Sequence, residues 1–273
     1  MDQLYRSLAP RGALRPYVRR ILVADETAPI DVALKPAPTG YNYLGWVFSG
    51  SVSAETKGTV QPFAENCLHV AGQIQFQDIS VRYQGLFGHI IAEFEVTGFY
   101  ELIPMSPVEI YGRAYPLVPG FHDWADTFDL TSPCRNTNQR VERFQDFLCD
   151  LVPFARKKPN SVSRAARLIE DKRGLISIAD VAQSLAISER SLCRHFQKVA
   201  GVAPKYFGRI VQFNHAMTAF TTKDQAYLTE LAHELGYYDQ AHFNKSIRQF
   251  LHTSPQKFLD GDNDVMFEFL GRP

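Results

Sequence analysis

Two rhythms of hydrophobic and polar positions divide this chain. Up to about residue 130 the apolar positions come in short runs rich in aromatic and β-branched residues: Tyr41–Phe48, Cys67–Val70, Ile74–Phe76, His89–Val96 and Val108–Tyr111. Gly40, Gly50, Gly58, Gly72, Gly85, Gly88, Gly98 and Gly112 punctuate them. Runs of this length between turn residues predict many short strands, hence a β-rich barrel or sandwich of cupin-like form. From Gln139 the spacing changes to three and four. Val141, Phe144, Phe147, Leu148 and Leu151 share one face of a helix over 139–151 that Pro153 terminates. That apolar stripe either pairs with a second copy of the chain or packs on its own barrel.

Beyond the polar, proline-containing stretch 156–161, every strong signal is helical. Ala165, Leu168 and Ile169 mark one helix face, and Gly174 can end that helix. Ser177-Ile-Ala-Asp180 has the form of a capping box and opens a helix that buries Ile178, Val181, Ala182 and Leu185. After a tight break at Ala186-Ile187-Ser188, a second helix, Glu189–Ala200, buries Leu192, Phe196 and Val199, and Gly201 ends it. Two short helices joined by such a turn form a helix-turn-helix. About fifty residues later the device recurs. Leu228, Leu231, Ala232 and Leu235 form a short first helix. Gly236-Tyr237-Tyr238 form a turn in which Gly236 can take a positive φ, and a second helix buries Phe243, Ile247 and Phe250. A helix from Pro204 to about Phe220 joins the copies, with Tyr206, Ile210, Phe213 and Met217 on one face. Repetition of a whole supersecondary unit is stronger evidence than either copy alone.

The exposed faces of the two second helices carry the chemistry. The first offers Arg190, Ser191, Arg194, Gln197 and Lys198. The second offers Gln240, Ala241, His242, Asn244, Lys245 and Arg248. Arg and Lys donate to guanine, and Gln and Asn pair with adenine, so these are the side chains that read base edges. Charge agrees, although the net charge of the whole is zero. Residues 1–155 hold 12 Lys and Arg against 17 Asp and Glu, whereas residues 156–258 hold 16 against 8. The basic half is the one suited to a polyanion.

Residues 162–258 resemble the DNA-binding domain of AraC-type transcriptional regulators. The matching motifs are Ile178-Ala-Asp-Val-Ala182, Ser188–Phe196 and Gly201-Val-Ala-Pro204 in the first half. In the second they are Leu231-Ala-His-Glu-Leu-Gly-Tyr237, Asp239-Gln-Ala-His-Phe243 and Phe250–Phe258. The resemblance implies two recognition helices in successive major grooves, about one DNA turn (~34 Å) apart. It implies base contacts from Arg190 and Arg194 and from Gln240, His242 and Lys245, with Ser191, Lys198 and Asn244 on the same faces. Cys193 and Ala241 also fall at contact positions, where they offer little hydrogen bonding. Helix starts near Ser177 and Ser188 are expected to hold phosphates. Tyr227 stands where the second copy would need a cap matching Ser177.

The resemblance further implies a β-rich effector or dimerisation domain in front, and the stretch Phe94–Tyr100 looks like a strand-turn of one such domain. Trp46, Phe48, Phe76, Tyr83 and Phe94 are candidates to line a ligand pocket. The expected architecture is therefore an α+β two-domain chain. Residues 1–155 form the effector domain, 156–161 the linker, 162–260 the DNA-binding domain and 261–273 a tail. The expected partners are double-stranded DNA, a small-molecule effector, RNA polymerase and a second copy in a homodimer.

Several classes are excluded or set aside. No apolar run nears the ~18 residues of a membrane span, and residues 1–20 carry five arginines without an apolar core, which argues against a secretory leader. Cys67, Cys134, Cys149 and Cys193 show no zinc-ligand spacing, so reduced thiols in a cytoplasm are expected. His69, His89 and His122 form no His-x-His pair, and each reads as a structural histidine. No phosphate loop, nucleophile elbow or H-E-x-x-H motif is present. No cofactor and no catalysis are expected. The competing reading is a metal- or sugar-binding barrel enzyme that the C-terminal half tethers to DNA.

Overall fold

The structure is a computed structural model that describes residues 4–56, 58–74, 79–222, 234, 236 and 240–251. Its first part is a single sheet of eight strands: β1 (Arg6–Leu8), β2 (Val18–Asp25), β3 (Ile30–Leu34), β4 (Tyr43–Thr56), β5 (Thr59–Phe63), β6 (Cys67–Ala71), β7 (Ile79–Phe94) and β8 (Ala114–Pro116). The path runs β1-β2-β7-β4-β6-β8, with β3 on β7 and β5 on β4, and every pairing is antiparallel. The path stays open, neither a closed barrel nor a pair of stacked sheets. Val108–Tyr111, expected as a strand, forms turns.

The glycines explain the difference in strand length. Gly50, Gly85 and Gly88 lie inside strands β4 and β7, where separate short strands were expected. Gly50 and Gly85 have φ of 70° and 89°, and the β4–β7 register shifts between Val47 and Ser51. These glycines therefore mark bulges at which two long strands bend while staying paired. A bulge also swaps faces. On β4, Tyr43, Gly45 and Val47 share the concave face before the bend, and Val52, Ala54 and Thr56 share it after the bend.

The other face of the sheet packs on helix. Leu44, Trp46, Phe48, Ile90, Ala92 and Phe94 join one core with Val141, Phe144, Phe147, Leu148 and Leu151 of α3 (Thr137–Leu151). Two short helices, α1 (Gly98–Leu102) and α2 (Asp123–Asp126), complete this layer. Asn136 caps α3 by accepting the Gln139 N–H. Of the two fates open to its apolar stripe, packing on its own sheet is the one observed. The stretch Phe94–Tyr100 is the expected strand-turn, with β7 ending at Phe94 and a turn at Val96 and Thr97, and it continues into α1 at Gly98, where a Cβ would run into the Tyr17 backbone.

The helical part comprises α4 (Asn160–Asp171), α5 (Ile178–Ser184), α6 (Glu189–Ala200), α7 (Pro204–Thr222) and α8 (Gln240–Leu251). The amphipathic faces of α4, α5, α6 and the start of α7 converge on one core, in which Val162, Ala165, Ile169, Val181, Leu192, Phe196, Val199 and Phe207 are buried together. The stretch 156–161, expected as the linker, makes contacts with the first part of the chain. Arg156 donates to the carbonyls of Ile103 and Met105, and Lys158 pairs with Glu101. Among the described residues no helix is long and apolar enough to cross a membrane. All four cysteine thiols are free.

Candidate functional site

The unit α5–turn–α6 is built as its residues dictate. Ser177 caps α5 by accepting the Asp180 N–H at 3.0 Å, and Ser188 caps α6 by accepting the Ser191 N–H at 3.2 Å. The Ser177 hydroxyl donates to the Asp180 carboxylate at 2.6 Å, so the reciprocal arm of the capping box runs through the hydroxyl and not the backbone. The turn places Ala186 at φ 54°, the left-handed region, so that α6 can start against α5. Gly201 closes α6 at φ 85° with its N–H on the Gln197 carbonyl.

With Leu192, Phe196 and Val199 buried, Arg190, Arg194, Gln197 and Lys198 are exposed and Ser191 and Cys193 half-buried. The structure thus brings the first set of predicted contacts onto one open basic helix face. On α8, Phe243, Ile247 and Phe250 face inward and Phe250 packs on Phe213 at 4.7 Å between ring centres. Ala241, Lys245 and Arg248 are exposed and Asn244 is half-buried. The side chains of Gln240 and His242, the helix expected over 228–235 (save the backbone at Glu234), Tyr237 and Tyr238 of the turn, the segment Thr253–Phe258 and the tail 261–273 lie outside the described residues. Gly236 has φ 73°, and a Cβ there would stand 2.7 Å from Leu175 Cδ2.

Residues 181–261 match a family described as a helix-turn-helix domain. The C-terminal region contains a helix-turn-helix domain. It is a DNA-binding unit, and it follows a sheet-rich region. No curated protein matches the chain. Among solved structures, the chain is similar to ToxT from Vibrio cholerae (9% identity, 94% of this chain and 98% of that one, TM-score 0.49). It is similar to the unsaturated fatty acid bound form of ToxT from Vibrio cholerae strain SCE256 (11%, 86% and 96%, TM-score 0.47). It is also similar to a probable AraC family transcriptional regulator from Rhodopseudomonas palustris (22%, 42% and 100%, TM-score 0.32).

The bent sheet in front of the helix-turn-helix domain encloses a cavity of about 780 Å³. Of the four described aromatics among the five proposed to line a pocket, Tyr83 does so. Trp46, Phe48 and Phe94 point to the opposite face and pack against α3 and α1, and Phe76 lies outside the described residues. Period-two alternation separates the two sets, since Trp46 alternates with Gly45 and Val47, which face inward. The actual lining combines Val52, Ala54, Phe63, Ile79 and Ile91 with tyrosines 41, 43, 111 and 115 and two histidines.

Those histidines, read as unrelated, form a pair. His69 Nε2 lies 2.7 Å from His89 Nε2, and His89 Nδ1 lies 2.8 Å from the Tyr5 hydroxyl. Burial pushes the His69 pKa down to about 4, and burial and then the neighbouring His69 push that of His89 down as well. Both rings are neutral. A shared zinc would hold two imidazole nitrogens roughly 3.3 Å apart in a tetrahedral site, so the 2.7 Å contact is a hydrogen bond. Among the described residues no group of three or more potential ligands gathers around a metal position.

The cavity and the DNA-binding domain share a wall. Thr39 and Tyr41 line the cavity and also a polar cleft of about 310 Å³ between the sheet and α4 and α7. In that cleft the fully buried Glu93 takes both oxygens to Arg20, at 3.0 Å each, with Arg19 at 3.3 Å. The Tyr43 hydroxyl donates to Glu93, and it hydrogen-bonds with Thr39. Tyr41 reaches Glu170 of α4 at 3.4 Å, and Asn214 of α7 donates to the Thr39 carbonyl at 2.9 Å. Burial raises the Glu170 and Glu95 pKa values and outweighs Arg19 nearby. A second tie reaches α6 directly, since Gln73 donates to the Ala200 carbonyl at 2.8 Å. Sequence inspection had no signal for this wall beyond the apolar run that contains it.

Proposed function

We propose that this protein is a sequence-specific transcriptional regulator that lays α6 and α8 into successive major grooves. The observation that carries the reading is the face of α6: four long polar side chains, three of them cationic or guanidinium-like in reach (Arg190, Arg194 and Lys198) beside Gln197, stand exposed on a helix whose other face is fully buried. Arg190 and Arg194 read base edges, with Ser191 and Lys198 beside them; on α8 Gln240, His242, Asn244 and Lys245 do the same. The α6 start beside Ser188 holds a backbone phosphate. At Ser177 the Asp180 carboxylate already occupies the hydroxyl, which weakens that position as a phosphate contact.

Regulation acts through the cavity in residues 1–155, and the shared wall Thr39–Tyr43 supports it. A molecule in the cavity touches Tyr41, whose hydroxyl reaches Glu170 of α4, and Thr39, whose carbonyl accepts from Asn214 of α7. It shifts the balance between the tied arrangement and others by its differential affinity for them. ToxT, a chain of similar fold, has been solved bound to an unsaturated fatty acid.

The test is selection of bound duplexes from a random-sequence pool by the full chain, followed by affinity against salt for the winner. An enriched pair of short boxes about one turn apart supports the reading. Steep salt dependence without any enriched sequence overturns it in favour of nonspecific binding by a basic surface.

A further inference from the structure

A short extended segment of the sheet-rich part is set against the turn that joins α6 to α7. Residues 72–74 leave β6 with Gly72 and Ile74 lining the cavity, while Gln73 between them is buried and does not line it. Gln73 Nε2 donates at 2.8 Å to the carbonyl of Ala200, the last residue of α6. The neighbouring Ile74 carbonyl accepts at 3.0 Å from the hydroxyl of Tyr206, in the first turn of α7. The Tyr206 ring also stacks on Phe250 of α8, with ring centres 6.3 Å apart. Two consecutive residues therefore hold the helix on each side of the turn 201–203, and through Tyr206 they reach the second reading helix.

The segment can bear on those helices because it is itself fixed. The Gln73 N–H donates to Asn42 Oδ1 at 3.2 Å, the Gly112 N–H to the Gln73 carbonyl at 2.9 Å, and the Gly72 N–H to the Arg113 carbonyl at 2.9 Å. A Cβ on Gly72 would collide with the Ile110 carbonyl, and one on Gly201, at φ 85°, would stand 2.9 Å from the Pro107 carbonyl oxygen. The loop 107–113 thus braces both the segment and the turn.

Packing alone does not account for Gln73. Its Oε1 is buried without a partner among the described residues, a cost that an apolar side chain there would not carry. What the amide supplies is direction. The last carbonyls of a helix have no partner within it, and Gln73 fixes one of them. Phe196 of α6 and Phe207 of α7 also pack together, at 5.4 Å between ring centres, but apolar contact is non-directional.

We infer that Gln73, with Ile74 beside it, is a positioning strut that sets the angle between α6 and α8, and hence the separation of the two DNA boxes that the protein accepts. This rests on both helices reading DNA, and it adds the residues that decide the spacing. One base pair moves a box by about 3.4 Å and turns it by roughly 35° around the DNA axis, so a fixed angle admits one separation and a loosened angle admits its neighbours.

The experiment compares the full chain with Gln73→Ala, with Tyr206→Phe, which keeps the ring on Phe250, and with the double variant. Val141→Ala, in the core between the sheet and α3, is the control that loses packing away from the strut. Hydrogen exchange of the DNA-free chains is read at two amides bonded in the structure, Gly201 to the Gln197 carbonyl and Phe207 to the Ala203 carbonyl. Gln73→Ala should speed exchange at Phe207, and Tyr206→Phe at Gly201, each by about threefold or more beyond the control. Each substitution thus acts on the side of the turn it does not touch, and faster exchange on its own side only, or on neither, overturns the strut. Affinity is then measured for the duplex selected from the random pool and for the same duplex with one base pair added or removed between its boxes. The unaltered chain and Val141→Ala should lose about tenfold on either change, and the double variant less than about threefold. Equal losses in all of them overturn the spacing role and leave the reading by α6 and α8 standing. No enriched sequence defeats that reading and the spacing role with it, while exchange decides by itself whether residues 73 and 74 hold the turn.

Discussion

His69 Nε2 lies 2.7 Å from His89 Nε2 in the concave face of the sheet, with the Cα of Gly45 beside the two rings. Two strands that flank β4 from opposite sides place these rings, and the missing side chain on β4 gives them room to meet. Gly45→Ala should therefore destabilise the protein by about 1–3 kcal/mol, as an overpacked core does. Urea denaturation of the variant checks this, and a midpoint equal to that of the unaltered chain would contradict the collision.

The same pair sets an acid limit. Both folded-state pKa values lie below the ordinary histidine value, His69 at about 4. The unfolded chain therefore binds protons first. As pH falls from about 6.5 toward 4, stability should fall, by up to roughly 1.4 kcal/mol per pH unit for each ring. Glu95 and Glu170, whose pKa values are raised, act in the opposite sense, because the folded state takes up their protons first. Melting temperature against pH for the unaltered chain and for His69→Gln isolates the histidine contribution. The variant should show the shallower decline between pH 6.5 and 4.

Arg194→Ala should lose roughly 1–3 kcal/mol of binding, mostly on the preferred DNA sequence. Competition binding against a scrambled duplex checks this, and an equal loss on both duplexes would make Arg194 a phosphate contact. Lys198→Ala at the far end of the same face is the useful comparison.

Asn214→Ala removes the hydrogen bond from α7 to the Thr39 carbonyl, and its cost in stability should be about 1 kcal/mol. Its larger effect should be on communication. Ligand binding in the cavity and DNA binding by the isolated affinity measure should both persist, while the change that one produces in the other shrinks. Two titrations of DNA affinity, with and without a cavity ligand, measure that coupling.

The core of α6 shows why part of this architecture can be read without coordinates. Leu192, Phe196 and Val199 recur at the helical period, Ser188 precedes them as a cap and Gly201 follows as a stop, so the helix Glu189–Ala200 appears where its residues place it. The same holds for α7 and for the inward face of α8. In each case the information lies within one or two turns of chain. The sheet is different. Gly50, Gly85 and Gly88 look like breaks between strands, yet they are bends within two long strands, because whether a glycine ends a strand or bulges it depends on the partner across the ladder.

Helix period, caps and stops are local properties, and they fix the sheet-then-helix plan, the first helix-turn-helix and the basic face of α6. Which aromatics line the cavity, the contact of His69 with His89, and the place of Thr39 and Tyr41 both in the cavity and in the seam with α4 and α7 are settled by tertiary packing. Those relations depend on register across strands and on packing between distant segments, where a shift of one residue exchanges the two faces of the sheet.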